Sequence, residues 1–218
     1  MISLLRLCGS AYVAFFDFSV GAFAVFVLSR LFKVDPSVGK YLLGGILGLV
    51  PDFDVLYMYV RRGRVYDNHH ELLTHRPLIM VPLLFLLAGF LGGLFWASVA
   101  ATCLLLHYIH DSQGWGGGLG WLWPFSSRYY SFKGSIEKEK SRIERNKGKH
   151  NEWLAATWLT PTPQSVTEVC IGALLLGISL DDLFSWRIAV GLPFLSIVGA
   201  VGMWFCYSTV RPSPTTTR

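Results

Sequence analysis

Charged residues are scarce in this sequence, and their scarcity excludes most soluble folds. Asp, Glu, Lys and Arg make up 15% of the 218 residues, whereas hydrophobic residues make up 52% and the mean hydropathy is +0.44. A soluble domain usually carries about 25% charged residues. The shortage falls in long apolar blocks, which is typical of an integral membrane protein. The composition therefore predicts a chain that lies largely within a membrane.

Cysteine is also rare, and its spacing excludes the common cysteine-based metal sites. The four cysteines lie singly, in or beside apolar runs, and no two of them have the C-x-x-C spacing: Cys8, Cys103, Cys170 and Cys206. Thiolate sites need closely spaced ligands. We interpret these residues as reduced, buried thiols rather than as ligands or disulfide partners.

Basic residues exceed acidic ones, but their position argues against nucleic-acid binding. The net charge of +5 is carried mainly by loops next to apolar segments, where positive charge sets membrane topology and meets anionic lipid headgroups. The most basic loops, 61–76 and 128–149, are expected on the cytoplasmic side, with both termini. The acidic Asp181-Asp182 turn would then lie outside. The basic residues 30–40 would also lie outside, which is against the rule.

The apolar segments predict an all-α, polytopic membrane bundle of about six apolar helices with a glycine-broken hairpin. The segments cover residues 7–32, 37–59, 78–109, 165–180 and 188–207. The third is too long to cross a ~30 Å hydrocarbon core once. We expect it to reverse near Gly92-Gly93 and to return to the side that it left. Pro51 is expected to kink the second segment, because proline removes a helical hydrogen bond.

Four regions follow from this pattern. Residues 1–130 are expected to form a membrane-embedded domain, beginning with a retained membrane helix rather than a cleaved signal. Residues 131–164 are expected to be a charged cytoplasmic linker or helix, because charges of both signs alternate there. Residues 165–210 form a C-terminal membrane hairpin, and the tail 211–218 is expected to be disordered.

Five of the six histidines lie in the otherwise apolar stretch 51–111, together with Asp52, Asp54 and Asp111. They fall in the sequences Pro51-Asp52-Phe53-Asp54, His69-His70-Glu71-Leu72-Leu73-Thr74-His75 and His107-Tyr108-Ile109-His110-Asp111. Charged groups beside apolar surface are costly unless they are paired or bind a metal. Imidazole and carboxylate suit zinc first, with manganese or iron as alternatives. The predicted hairpin would bring the third sequence back beside the second, so we predict a divalent metal site.

Three further features belong to this prediction. Asp17 lies inside the first apolar helix without a compensating lysine or arginine, so we expect a metal to compensate it; the alternative is a solvated residue at the headgroup boundary. Residues 112–130 are rich in glycine and aromatics and are expected to form a rim at headgroup level. Trp115, Trp121 and Trp123 would line its mouth.

These sequences, with Leu122-Trp123-Pro124-Phe125-Ser126, resemble the YdjM family of predicted inner-membrane metal-dependent hydrolases. That family is considered remotely similar to zinc-dependent phospholipase C and the S1/P1 nucleases. The resemblance covers about the first 130 residues and implies a metal-dependent hydrolase, with phosphoesters as the expected substrates. The matched positions, implied to hold the metal, are Asp52, Asp54, His70, His75, His107 and Asp111.

Two positions depart from the family pattern. Asp17 lies where the family often has histidine, and a carboxylate can replace imidazole as a ligand. Arg76 follows His75 where the family favours serine. Arg76 could hold an anionic phosphate, or it could disable a site that needs the serine.

The first hypothesis is a membrane-bound hydrolase that uses metal-activated water on a phosphoester in a lipid or lipid-linked substrate. Asp54 and Arg76 are its candidate catalytic residues, and Arg76 is also a candidate substrate-binding residue. The alternative is a non-catalytic membrane protein with a structural metal site. A di-iron lipid desaturase is rejected, because that family uses about eight histidines in several boxes and this chain has six. We expect membrane lipid and an amphiphilic substrate as partners, and no nucleic acid.

Overall fold

A computed structural model describes residues 2–62, 69–113, 118–132, 135–138, 141, 163–181, 183–184, 190–191 and 193–201. Its helices are α1 (Ile2–Phe32), α2 (Val38–Gly48), α3 (Phe53–Arg62), α4 (Pro77–Asp111) and α5 (Pro163–Leu180). Two single-turn 3-10 helices, His69–Glu71 and Leu73–His75, lie between α3 and α4. Residues 190–191 and 193–201 are also helical. Within these residues the only extended pairing is an isolated bridge between Leu119 and Tyr130.

Three helical segments are long and apolar enough to cross a membrane: Ala14–Phe32 of α1, the whole of α4, and α5. The prediction of a helical membrane protein is confirmed, but the described residues do not show six spans. One reason is that the break at Pro51 divides the second apolar segment into α2 and α3, and an 11-residue helix such as α2 is only ~16 Å long. Residues 202–210 of the last segment lie outside the described part, as do most of the predicted linker and the whole predicted tail.

The break between α2 and α3 has clear local causes. The side chain of Ser37 caps the start of α2 by accepting a hydrogen bond from the backbone N–H of Lys40. Proline at position 51 has no N–H to donate, so the helical ladder stops after Gly48 and resumes at Phe53. The segment is therefore divided into two separate helices, where the sequence predicted one kinked helix. The break leaves Asp52 in a turn and Asp54 at the start of α3.

The long helix α4 is a hairpin that reverses at Gly93. This residue has φ 77° and ψ −174°, a backbone conformation that L side chains rarely adopt. Met80 and Leu84 of the first arm pack on a cluster containing Leu104 and Tyr108 of the second. The two arms are therefore antiparallel, as predicted, and both ends of α4 lie on the same side. The side chains at the tip face outward, Phe90 being 88% exposed, as expected of a surface that meets lipid.

Small residues hold α1, α2 and the second arm of α4 together. A methyl group added at Gly48 would overlap the backbone oxygen of Asp17, and one at Gly44 would overlap that of Gly21. Cys103 of the second arm lies against the carbonyl oxygens of Gly21 and Gly44. Close backbone contact through glycine is a common way for membrane helices to associate. It places Asp17, Gly48 and the end of α4 at one level of the bundle.

The hairpin predicts a specific disulfide. A Cβ atom at Gly89 would lie 3.3 Å from that of Ala97, across the turn, close to the Cβ–Cβ distance of about 3.8 Å in disulfides. In a variant without the native cysteines, Gly89→Cys with Ala97→Cys should oxidise to an intramolecular disulfide, detected by mass spectrometry. Gly89→Cys with Val81→Cys has the same sequence separation along one arm and should not. Equal cross-linking of both pairs would contradict the reversal at Gly93.

Candidate metal centre

The break before α3, the two 3-10 turns and the end of α4 converge on one cluster of side chains. The Oδ1 atom of Asp52 lies 3.6 Å from Nε2 of His69, 3.7 Å from Nε2 of His75 and 3.6 Å from Nε2 of His107. All three rings are buried. Three histidines that lie up to 38 positions apart in the sequence thus direct the same ring nitrogen toward one carboxylate.

Asp111 supplies a second carboxylate to this cluster. Its Oδ2 atom lies 3.2 Å from Nε2 of His107, 3.4 Å from Nε2 of His75 and 3.8 Å from Nε2 of His70. His107 and Asp111 are four residues apart on the second arm of α4, so they share one helical face. We call these six residues the metal cluster: Asp52, His69, His70, His75, His107 and Asp111.

Two imidazoles of the metal cluster are held by groups on the far side of the ring. Nδ1 of His107 donates to the carbonyl oxygen of Gly48 over 2.8 Å, and Nδ1 of His75 lies 3.1 Å from Oδ2 of Asp54. A neutral imidazole that donates from Nδ1 carries its lone pair on Nε2. Metal-binding histidines are commonly oriented in this way by a carbonyl or carboxylate. Both Nε2 atoms are therefore directed into the metal cluster, where the neutral rings could bind a metal.

Buried polar atoms that lack a hydrogen bond test whether a metal fits here. Within the described part of the chain, Nε2 of His75, Nε2 of His107 and Oδ2 of Asp111 are buried and make no hydrogen bond. Such atoms are rare, because a buried polar group without a partner is destabilising. The nitrogens and oxygens of Asp52, His75 and His107 all lie within 4.8 Å of one another, as do those of His69, His70 and His75. The metal cluster could hold a divalent ion, which would satisfy the three atoms.

Contacts within the metal cluster shift the pKa values of its carboxylates and imidazoles in opposite directions, as Asp52 and His75 show. Burial favours the neutral form of Asp52, but the neighbouring rings of His107, His69 and His75 outweigh it and hold the pKa of Asp52 well below its usual range. Burial lowers the pKa of His75, but the nearby carboxylates of Asp111 and Asp52 outweigh burial and raise that pKa well above its usual value. The carboxylates are thus ionised, as metal ligands must be.

Asp54 occupies a different place from the one expected of a ligand. Its Oδ2 atom contacts Nδ1 of His75 and accepts a hydrogen bond from the hydroxyl of Thr74, whereas the metal cluster lies beyond Nε2 of the same ring. The carbonyl of Thr74 accepts in turn from the hydroxyl of Tyr108. Asp54 therefore faces the side of His75 that is turned away from the metal cluster, and its predicted roles as ligand and catalytic residue stay predictions.

Asp17 lies at the edge of the metal cluster, and its main partner is a histidine that the sequence argument left out. Its Oδ1 atom is 3.1 Å from Nδ1 of His110 and 3.8 Å from Nδ1 of His107. The structure therefore provides a side chain that compensates the Asp17 carboxylate, where the sequence argument expected a metal. Asp17 also approaches His107 from the Nδ1 side, opposite to the atom that faces Asp52.

Arg76 is buried among aromatic rings beside the last 3-10 turn. Its Nη2 atom donates to the carbonyl of Glu71 over 2.7 Å and to the hydroxyl of Tyr129 over 3.0 Å. The guanidinium also lies over the rings of Trp123 and Tyr129. Gly120 is close to its Nη1 atom, and a side chain there would overlap it. Arg76 thus connects the loop 118–132 to the two 3-10 turns at residues 69–75.

The predicted tryptophan rim is described in part. Trp123 is 37% exposed beside Arg76. Trp121 donates from Nε1 to the hydroxyl of Ser112 at the end of α4 and packs on the cluster around Tyr108. Trp115 lies outside the described residues. The two visible tryptophans stand beside the end of α4, on the same side as the metal cluster.

Two histidines with partners in this region were not among the predicted ligands. His69 is 6% exposed and lies as close to Asp52 as His107 does. Its adjacency to His70 was the available signal, because a 3-10 turn can direct neighbouring side chains to the same place. His110 was set aside as one residue off the face of His107 and Asp111, and no sequence signal identified its partners on α1 and α5.

Comparison with known proteins agrees with these observations. The sequence profile of a family described as YdjM inner membrane protein matches residues 17–180, which extends beyond the predicted resemblance and includes α5. Inner membrane protein YbcI of Escherichia coli (strain K12) is 38% identical over 97 residues, which cover 40% of this chain and 54% of that protein. The chain thus matches about half the length of this curated relative. No solved structure matches the chain.

The raised pKa of His75 predicts that metal binding releases a proton. His75 should be protonated at pH 7 in metal-stripped protein, and its Nε2 atom must lose the proton to bind zinc. Calorimetric titration with zinc, in two buffers of different ionisation enthalpy, should show release of at least one proton and weaker binding as the pH falls.

The matched control is His70, because burial lowers the pKa of this residue to about 3 and it is neutral at pH 7. His75→Gln should therefore lower the proton release by about one proton, whereas His70→Gln should leave the release unchanged even if binding weakens. Equal release by the two variants would show that the proton comes from another group.

Proposed function

We propose that this chain, which belongs to the YdjM inner membrane protein family, is a membrane-bound metal-dependent hydrolase of a phosphoester in a lipid or lipid-linked substrate. The family and the relative in Escherichia coli place the protein in the inner membrane. The proposal that the protein is an enzyme rests mainly on one feature of the metal cluster: its carboxylates are more exposed to solvent than its imidazoles.

The metal cluster is closed on its imidazole side and more open on its carboxylate side. The side chains of His75 and His107 are 0% and 1% exposed, whereas those of Asp52 and Asp111 are 24% and 14% exposed. A structural metal site is closed by four protein ligands, whereas a catalytic site keeps a position for water or substrate. The partial exposure of the carboxylates is the observation that carries the proposal, because a substrate could reach an ion there.

The residues divide into those that would hold the ion and those that orient them. His75, His107, Asp52 and Asp111 would be ligands, with His69 and His70 close enough to complete the site or to hold a second ion. A bound divalent ion supplies a water of lowered pKa and polarises a phosphoryl oxygen. Asp54 would keep Nε2 of His75 available by accepting from Nδ1, so we assign it a positioning role rather than proton transfer.

Arg76 supports an anionic substrate. Its side chain is 8% exposed, yet it makes no salt bridge to a described residue, and its Nη1 atom makes no hydrogen bond there. A buried guanidinium without a carboxylate is destabilising, and a phosphate would compensate it. Trp123 beside it is partly exposed, and tryptophan favours the headgroup level of a bilayer. These features favour an amphiphilic phosphoester over a soluble one.

The proposal predicts bound metal that depends on the metal cluster. Protein purified in mild detergent without chelator should contain roughly stoichiometric zinc, manganese or iron by elemental analysis. His75→Ala and Asp111→Ala should each lose most of it, because each removes a ligand. Glu71→Gln is the matched control, since Glu71 is an exposed carboxylate in the same 3-10 helix as His70. Protein without metal would overturn the metal site as a whole.

Activity is tested separately from metal content. Mixed micelles of fluorescent phosphatidic acid and of fluorescent phosphatidylcholine provide a phosphomonoester and phosphodiesters at a membrane surface. The parent protein should hydrolyse at least one of them, chelator should stop the reaction, and Asp52→Asn should lower the rate at least about 100-fold. Metal-loaded parent protein that cleaves neither lipid would favour the alternative, a structural metal in a non-catalytic membrane protein.

A further inference from the structure

A second set of polar contacts joins three helices beside the metal cluster. Asp17 of α1 contacts Nδ1 of His110 at 3.1 Å and 3.3 Å through its two carboxylate oxygens. Nε2 of His110, near the end of α4, lies 3.4 Å from Oε1 of Glu168 on α5. The same oxygen of Glu168 accepts a hydrogen bond from Gln164 over 2.8 Å. A continuous path of polar contacts therefore leads from α5 to α1.

The ring of His110 lies in the middle of this path, and its contacts fix the orientation of the ring. Both ring nitrogens of His110 face carboxylate oxygens, Nδ1 those of Asp17 and Nε2 that of Glu168. The ring of Phe16 packs against His110 with centroids 4.6 Å apart. Because the two nitrogens point in different directions, Asp17 and Glu168 lie on opposite sides of the ring. This arrangement suits a bridge between helices and does not suit a single bound ion.

The path ends at a residue of the metal cluster. Oδ1 of Asp17 lies 3.8 Å from Nδ1 of His107, the nitrogen that donates to Gly48. Gly48 itself is in close backbone contact with Asp17. The position of Asp17 can therefore affect the orientation of His107 in two ways. One is through its own carboxylate, and the other is through the carbonyl of Gly48, which accepts a hydrogen bond from the ring. A negative group beside the outer nitrogen also strengthens the inner nitrogen as a metal ligand.

We propose that Glu168 is a positioning residue of the metal centre, acting through His110 and Asp17 on His107, so that α5 is part of the functional unit. This inference rests on the proposed metal site. It gives a role to a helix for which the sequence offered no motif. It also accounts for the place of His110, which is half-buried between two carboxylates and does not face the metal cluster to which its neighbour Asp111 belongs.

The test measures metal affinity rather than turnover. Metal-stripped parent protein, Glu168→Gln and Glu168→Ala are titrated with Co²⁺ in detergent, and the visible absorption of the bound ion is recorded. Groups that orient a metal-binding histidine typically contribute 10–100-fold to affinity. Glu168 acts through His110 and Asp17 and does not contact His107 itself, so we expect an effect at the lower end of this range. Binding should be about tenfold weaker in the alanine variant and less weakened in the glutamine variant, and the absorption spectrum should change.

Thr167→Val is the matched control, because Thr167 is exposed on the same turn of α5 and its hydroxyl bonds only to Pro163 in the described structure. It should leave both the affinity and the spectrum as in the parent. If Glu168→Ala and Glu168→Gln lose thermal stability but bind Co²⁺ like the parent, Glu168 only ties the helices together and the proposal is wrong.

A double-mutant cycle with Asp17→Asn then tests the path. If Glu168 acts through Asp17, Glu168→Gln should change the affinity little once Asp17 is Asn, and the two effects should not add. Additive effects would overturn the proposal while leaving the metal site intact. Absence of Co²⁺ binding by the parent protein is a different result, because it would overturn the metal site and this inference together.

Discussion

The requirement that buried carboxylates and imidazoles have compensating partners governs this structure. The chain places aspartates and histidines at the ends of apolar helices, where an isolated charge is costly. The described residues meet the requirement by clustering: Asp52 and Asp111 face four imidazoles, and Asp17 faces His110. Three atoms that remain buried without a hydrogen bond then lie together: Nε2 of His75, Nε2 of His107 and Oδ2 of Asp111. A metal centre is the arrangement that compensates them at once.

Two backbone features make that clustering possible. The reversal at Gly93 returns the second arm of α4 to the level of Pro77, so that His107 and Asp111 meet the 3-10 turns. The close contact at Gly48 brings the carbonyl that orients His107 against α1. Neither position tolerates a side chain freely, the first because of its positive φ and the second because of contact with the backbone of Asp17. The site therefore depends on glycines that carry no chemistry of their own.

Much of this arrangement could be predicted from local sequence patterns. The features that could not be predicted are contacts between residues far apart in the sequence. The hairpin could be predicted from an apolar run longer than one crossing, and the break at Pro51 from a missing backbone donor. The spacing of His107 and Asp111 placed both on one face. Spacing could not show that Asp54 would contact the outer nitrogen of His75, since that depends on where α3 packs. Nor could it pair Asp17 with His110, because 93 residues separate them and the partner Glu168 lies in a segment without a motif.

The two departures from the family pattern bear on whether the site is functional or has decayed. A decayed site would be expected to keep charged residues only where water solvates them, because selection for their partners has ceased. Asp17 and Arg76 are instead buried, and each has specific partners: His110 for the carboxylate, and the carbonyl of Glu71, the hydroxyl of Tyr129 and an aromatic ring for the guanidinium. Each therefore sits in surroundings built to hold it. We therefore propose that the departures change what the site binds and do not remove binding, since the inner nitrogens of His75 and His107 face the same two carboxylates.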